Sequence, residues 1–132
     1  MAFWIFMLVF SVMIPVMMIS FGISFIRSAP KQINYVFGYR TSMSMKNRET
    51  WEFAHKHCGR LWTRFGAALL PLSVIPFLFV LNCEKNVVGN VGTIVIMIQL
   101  AVLILSIFPT EIALKRNFDR DGNRVIKDKN KK

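Results

Sequence analysis

Three long segments without a charged side chain constrain this sequence more than any other feature. They cover residues 2–26, 65–82 and 87–110. A helix rises about 1.5 Å per residue, so about 17 to 25 apolar residues cross the roughly 30 Å hydrocarbon core of a bilayer. Each segment therefore predicts a transmembrane helix. The sequence as a whole predicts an all-α membrane protein with three spans in one unit, residues 1–132.

Lysine and arginine are concentrated in two of the segments outside the spans. Eight lie in residues 27–64 and eight lie after residue 110, whereas Lys85 is the only one between the second and third spans. Because cytoplasmic loops carry most Lys and Arg, we predict that the 27–64 connection and the 111–132 tail are cytoplasmic and that Met1 lies outside. Anionic lipid headgroups then explain the net charge of +10, and since no nucleic-acid-binding motif accompanies it, we expect no nucleic-acid partner.

The connection between the first two spans changes character near its middle. Gly38, which stands between two aromatic residues, predicts a turn, and Asn47 is a suitable N-cap for a helix. Beyond Asn47, two different sides of the predicted helix alternate. The aromatic side carries Trp51, His55, Cys58, Trp62 and Phe65, and the charged side carries Glu52, Lys56, Arg60 and Arg64. This pattern is typical of an interfacial amphipathic helix, so we predict a cytoplasmic interfacial helix over residues 47–64, bent near Gly66. The alternative is one continuous helix that projects into the cytoplasm.

The spans themselves contain few polar or helix-breaking residues. Gln99 is the strongly polar side chain near the middle of the third span, and intramembrane amides commonly bond across helices, so we predict that it faces another helix or a second copy of the protein. Pro71 and Pro76 remove backbone donors from the second span, which predicts a kink. The carbonyls that they free need Ser73, water or a neighbouring helix. So small a bundle is also compatible with a homo-oligomer.

Two clusters suggest metal chemistry but fit known sites poorly. His55 and Cys58 share a helix face while His57 points elsewhere, and two ligands do not complete a metal site. Residues 119–123 begin like a calcium loop, but Asn130 occupies the twelfth position, where a glutamate is needed. We expect a turn there. Since the G-x-S-x-G nucleophile turn is also missing, we expect no metal, no cofactor and no enzymatic activity.

Arg40 is the strongest candidate for a binding residue. It lies between Tyr39 and Thr41 and should sit close to the bilayer surface. A guanidinium with neighbouring hydroxyls can hold a phosphate or a carboxylate through two hydrogen bonds. The alternatives are simple headgroup anchoring or a structural bond from Arg40 to helix-end carbonyls. The predicted binding residues of this segment are Asn34, Gly38, Arg40, Thr41, Ser44, Trp51 and His55.

Residues 34–62 resemble the signature region of the SdpI family of bacterial membrane proteins. The resemblance depends on an ordered set of residues, namely Asn34, Gly38, Arg40, Thr41, Trp51, Ala54, His55 and Gly59. It is a resemblance to the short, single-module members with three predicted spans. It implies an integral protein of the bacterial cell membrane. The founding member of the family protects a toxin-producing cell from its own secreted antimicrobial peptide and helps to signal by drawing a repressor to the membrane.

The resemblance therefore implies a role in immunity against a peptide toxin, or in toxin-linked signalling, through an Arg40-centred site at the cytoplasmic interface. A peptide toxin or a cytoplasmic regulator is the expected partner. Two other functions stay open. One is a small transporter or lipid-modifying enzyme, which would need a water-accessible cleft from Arg40 toward Gln99. The other is a structural subunit of a larger membrane complex.

Overall fold

The computed structural model describes residues 1–33 and 38–125, and it shows a helical protein. The helices are α1 (Ala2–Arg27), α2 (Arg48–Phe79), α3 (Lys85–Leu105) and α4 (Ile107–Asn117). Three helical stretches, α1, α2 and α3 together with α4, are long and apolar enough to cross a membrane. The predicted all-α architecture with three membrane-length helices is thus confirmed.

The segment predicted as a separate interfacial helix is the first half of α2. The structure shows one uninterrupted helix that passes through Gly66, where the sequence suggested a bend. Asn47 is the N-cap, as predicted, and its Oδ1 accepts the backbone N–H of Thr50 at 2.9 Å. Trp51 and His55 on the aromatic side are fully buried within the protein. The fold therefore does not show a separate interfacial helix, and the helix is continuous, which is the part of the alternative that the structure tests.

Glycine residues set the distance between α1 and α2. A Cβ atom placed on Gly59 would lie 2.6 Å from the carbonyl oxygen of Gly22, and one placed on Gly66 would lie 2.9 Å from that of Pro15. Real Cβ atoms do not approach backbone oxygens so closely. Small residues let the backbones of membrane helices meet in this way, so α1 and α2 could not keep this spacing with alanine at Gly59.

Gln99 connects all three membrane-length helices at a fully buried position. Its Nε2 donates to the carbonyl of Ser11 at 2.9 Å and to Oγ of Ser73 at 2.5 Å. Pro15 explains why the first bond is available, because it lacks the N–H that would otherwise bond the carbonyl four residues earlier. The predicted packing of Gln99 against other helices is confirmed, with a freed carbonyl in the first span as its acceptor.

A second proline divides the third membrane-length stretch. Pro109 has no N–H for the carbonyl of Leu105, and α3 ends at that residue. Ser106 separates α3 from α4, and its Oγ accepts the indole N–H of Trp62 at 2.9 Å. The break places the first turn of α4 beside α2.

The chain after α4 folds back onto the start of α2. Gly122 lies in a tight turn with φ of 84°, and its carbonyl accepts Nδ2 of Asn47 at 2.6 Å. Arg124 pairs with Glu49 at 2.6 Å. Phe118 is buried in a cluster with Tyr39, Ala54, Cys58 and Leu114. The predicted turn at 119–123 is confirmed, and within residues 118–125 Phe118 and Gly122 are buried while the other six residues are exposed.

Candidate functional site

After residues 34–37, the polar segment between α1 and α2 resumes in the structure at a glycine that no other residue could replace easily. Gly38 has φ of 106°, a region that L-residues rarely adopt. A Cβ atom there would also overlap the ring of His55. The next residue, Tyr39, donates its backbone N–H to Nε2 of His55 at 3.0 Å. Gly38 therefore allows the chain to lie directly on α2.

His55 is held in one tautomer by its two partners. Because Nε2 accepts the N–H of Tyr39, the ring proton must be on Nδ1, which lies 2.7 Å from the carbonyl of Trp51 and donates to it. The imidazole is therefore neutral in this arrangement. Trp51 in turn donates Nε1 to the carbonyl of Pro30 at 2.9 Å. Trp51 and His55 thus hold the connection against α2 at Pro30 and at Tyr39, before and after residues 34–37.

Thr41 and Ser44 stabilise the turn that follows. The backbone N–H of Thr41 donates to Oγ of Ser44 at 2.9 Å, and the N–H of Ser44 donates to Oγ1 of Thr41 at 3.2 Å. Ser44 is fully buried, and its carbonyl accepts the hydroxyl of Thr50 at 3.0 Å. These reciprocal bonds resemble those of a helix capping box. They give both side chains a structural role in presenting Arg40.

Tyr39 belongs to the candidate site by its contacts, although the sequence indicated it only as a neighbour of Arg40. Its hydroxyl donates to Oε1 of Glu111 at 2.9 Å. Burial, together with the Glu111 carboxylate, raises the pKa of Tyr39 far above its usual value, so the phenol stays protonated. The signal in the sequence was Glu111 itself, the only acidic residue between Lys85 and Phe118.

An apolar groove of about 540 Å³ lies beside this turn. Its walls come from α1, α2 and the α3–α4 junction, and the turn at residues 38–41 closes one end. The side chains that line it include Met17, Phe21, Trp62, Leu103 and Ile104. Gln99 does not line the groove and is fully buried elsewhere. The cleft toward Gln99 that a transporter or lipid-modifying enzyme would need is therefore not part of this groove.

Arg40 lies at the polar end of the groove, with an exposed side chain. The ion pairs within residues 1–33 and 38–125 are Arg48–Glu52 and Arg124–Glu49. Arg40 takes part in neither, and it makes no hydrogen bond to the described part of the chain. Among the described residues its guanidinium therefore has no anionic partner, and the structural bond to helix-end carbonyls is not observed there.

The predicted site residues thus differ in what the structure shows them doing. Gly38, Thr41, Ser44, Trp51 and His55 build and brace the turn, and Arg40 is presented by it; Asn34 lies outside the described residues. Over the described ranges, no three His, Cys, Asp or Glu side chains come together where they could hold a metal ion.

Three membrane-length apolar helices around a polar, hydrogen-bonded turn define a multi-pass membrane protein. Residues 31–110 match the family model of the SdpI/YfhL protein family. This match covers more than half of the chain and includes every predicted site residue, so the chain belongs to the SdpI/YfhL family. No curated protein and no solved structure matches the chain significantly.

Proposed function

We propose that this protein protects a bacterial cell against a secreted antimicrobial peptide, or relays the presence of that peptide, by binding it in the membrane. Family membership supports the class of protein. The observation that carries the proposal is Arg40, a guanidinium at the end of an apolar groove that has no ion-pair partner within residues 1–33 and 38–125. A membrane-active peptide offers apolar side chains for such a groove and a carboxylate for the guanidinium. Binding, with no catalytic step, is the proposed mode of action.

The proposed orientation follows from charge. With the turn that carries Arg40 in the cytoplasm, Lys56, Arg60 and Arg64 of α2 also lie there, exposed, where anionic lipids attract cations. The first half of α2 would then stand at the cytoplasmic interface, the N-terminus would lie outside, and the C-terminus would be cytoplasmic. Labelling of cysteines from each side of the membrane tests this orientation.

A protection assay tests the function. A strain that lacks this protein is challenged with antimicrobial peptides secreted by its own and related strains, and it is complemented with wild type, Arg40→Lys or Arg40→Gln. Lysine keeps the charge but loses the planar, two-pronged donor geometry. We expect wild type to restore growth, Arg40→Lys to restore it partly and Arg40→Gln to fail, by at least about tenfold in the peptide concentration tolerated, the loss expected for a charge-assisted hydrogen bond.

Arg60→Gln is the matched control, because Arg60 is an exposed arginine on α2 outside the groove. It should protect as well as wild type. Full protection by Arg40→Gln, at wild-type protein levels in the membrane, would remove Arg40 from the mechanism. If the deletion strain tolerates every peptide as well as its parent does, the proposed immunity role is wrong.

A further inference from the structure

We propose that the groove is a phospholipid site, in which one acyl chain of an anionic phospholipid lies against the groove walls and the headgroup phosphate binds Arg40. The inference goes beyond the proposed role in immunity and does not depend on it. It concerns what fills the groove when no peptide is bound there, because the proposed peptide and the lipid would occupy the same groove and the same guanidinium.

The groove has the chemistry of an acyl-chain site. Among the described residues that line it, all the side chains from α1 and α3 are hydrocarbon, thioether or aromatic. Its volume of about 540 Å³ falls in the usual range of roughly 300 to 1,000 Å³ for ligand pockets. Apolar walls of this kind gain nothing from a water-soluble anion, but they favour a hydrocarbon chain.

The groove is also reached from the lipid side. Met17 on α1 is 49% exposed and Ile104 on α3 is 61% exposed, and both line the groove on helices long enough to cross a membrane. Exposed apolar residues on such helices face lipid. An acyl chain can therefore enter from the bilayer without crossing water, so the groove continues the surface that lipid already covers.

Charge selects the headgroup. Arg40 is the only charged residue among the described groove-lining residues, and no carboxylate of the described chain pairs with it. The nearby acid Glu111 accepts the hydroxyl of Tyr39. A guanidinium binds phosphate through two parallel hydrogen bonds. A single cation at the end of a hydrocarbon groove therefore matches a lipid with acyl chains and a phosphate but without a cationic group in its headgroup.

Native mass spectrometry tests this directly on the purified full-length protein in mild detergent. The probes are dioleoylphosphatidylglycerol and dioleoylphosphatidylcholine, which share acyl chains but differ in headgroup charge. We expect wild type to retain one phosphatidylglycerol with a preference of about tenfold over phosphatidylcholine, and Arg40→Gln to lose that preference. Excess inorganic phosphate should not displace the lipid, because it offers nothing to the apolar walls.

A second pair of variants tests the acyl-chain part. Ile104→Trp fills the groove, whereas Ile94→Trp introduces the same side chain at a position of the same helix that is equally exposed, 60% against 61%, but lies outside the groove. We expect Ile104→Trp to reduce retention of both lipids and Ile94→Trp to leave retention unchanged. Met17→Trp fills the groove from α1 and replaces Ile104→Trp if that variant does not fold.

Several results would overturn the proposal. Equal retention of the two lipids by wild type, or an equal loss of preference in Arg40→Gln and the control Arg60→Gln, removes the role of Arg40 in headgroup binding. Unchanged retention in both groove-filling variants removes the groove. Displacement by inorganic phosphate would show an anion site without an acyl chain. Since lipid retention is measured on the purified protein, a failed protection assay leaves this result intact, and the reverse also holds.

Discussion

His55 connects α2 with two earlier parts of the chain, the turn after Gly38 and helix α1. It accepts the backbone N–H of Tyr39, donates to Trp51 one turn earlier and packs edge-on against the ring of Phe25, with the ring centroids 4.9 Å apart. The two hydrogen bonds depend on the ring nitrogens, and the contact with Phe25 depends on the flat ring. His55 therefore braces the turn that carries Arg40, in addition to being a predicted binding residue.

The hydrogen bonds of His55 predict which of its two ring nitrogens carries the proton. In protein with ¹⁵N-labelled histidine, we expect Nδ1 of His55 to resonate as a protonated ring nitrogen and Nε2 as an unprotonated acceptor at neutral pH. His55→Phe should lower the free energy of unfolding by about 1–3 kcal/mol, because it leaves the buried N–H of Tyr39 without an acceptor. A proton on Nε2 in the spectrum contradicts the bond to Tyr39.

The local features of the site were predictable from sequence, and the remote contacts were not. Asn47 was identified as an N-cap because capping depends only on neighbours three residues away. The bond from Tyr39 to Glu111 joins residues 72 positions apart, and no local pattern specifies which acidic residue a tyrosine will meet. The groove is likewise invisible in sequence, since its walls come from helices that must first pack.

Among the elements, α2 shows why one hydrophobic pattern fits two structures. A stripe of aromatic residues shows which side of a helix avoids water, but it does not show whether lipid or protein covers that side. Here protein covers it: Trp62 packs against Phe25 of α1, and Ala54 and Cys58 pack with Leu114 of α4. The sequence predicted the helix and its buried side, and it could not specify the partner that buries it.

The close contact between α1 and α2 predicts how a substitution at Gly59 changes the stability of the protein. Gly59→Ala should lower the free energy of unfolding in detergent by about 1–3 kcal/mol, because the added methyl group meets the backbone of Gly22 and pushes the helices apart. Gly89→Ala is the matched control. A Cβ there makes only an ordinary contact of 3.6 Å with Phe3, and alanine favours a helix, so this variant should be neutral or stabilising by about 0.5–1 kcal/mol. Equal effects of the two substitutions would show that the spacing of α1 and α2 does not depend on Gly59.

For the whole molecule, the packing of three membrane-length helices leaves one property undetermined, which is the side of the membrane that each end faces. Helix packing is the same in either orientation, because no contact within the protein depends on which leaflet surrounds it. The distribution of lysine and arginine favours the turn with Arg40 on the cytoplasmic side. The two native cysteines offer a direct way to test this orientation.

Cys83 lies exposed between α2 and α3, whereas Cys58 is buried with 1% exposure. A membrane-impermeant maleimide added to intact cells should therefore label wild type at Cys83 alone. In a Cys83→Ser background, labelling should disappear, and Lys56→Cys, at an exposed position of α2, should be labelled only after the membrane is permeabilised. The Cys83→Ser variant without the new cysteine controls for reaction at Cys58. The opposite orientation would give labelling of Lys56→Cys in intact cells and labelling of wild-type Cys83 only after permeabilisation. Arg40 would then lie on the outer surface, where it would meet a secreted peptide before that peptide entered the bilayer.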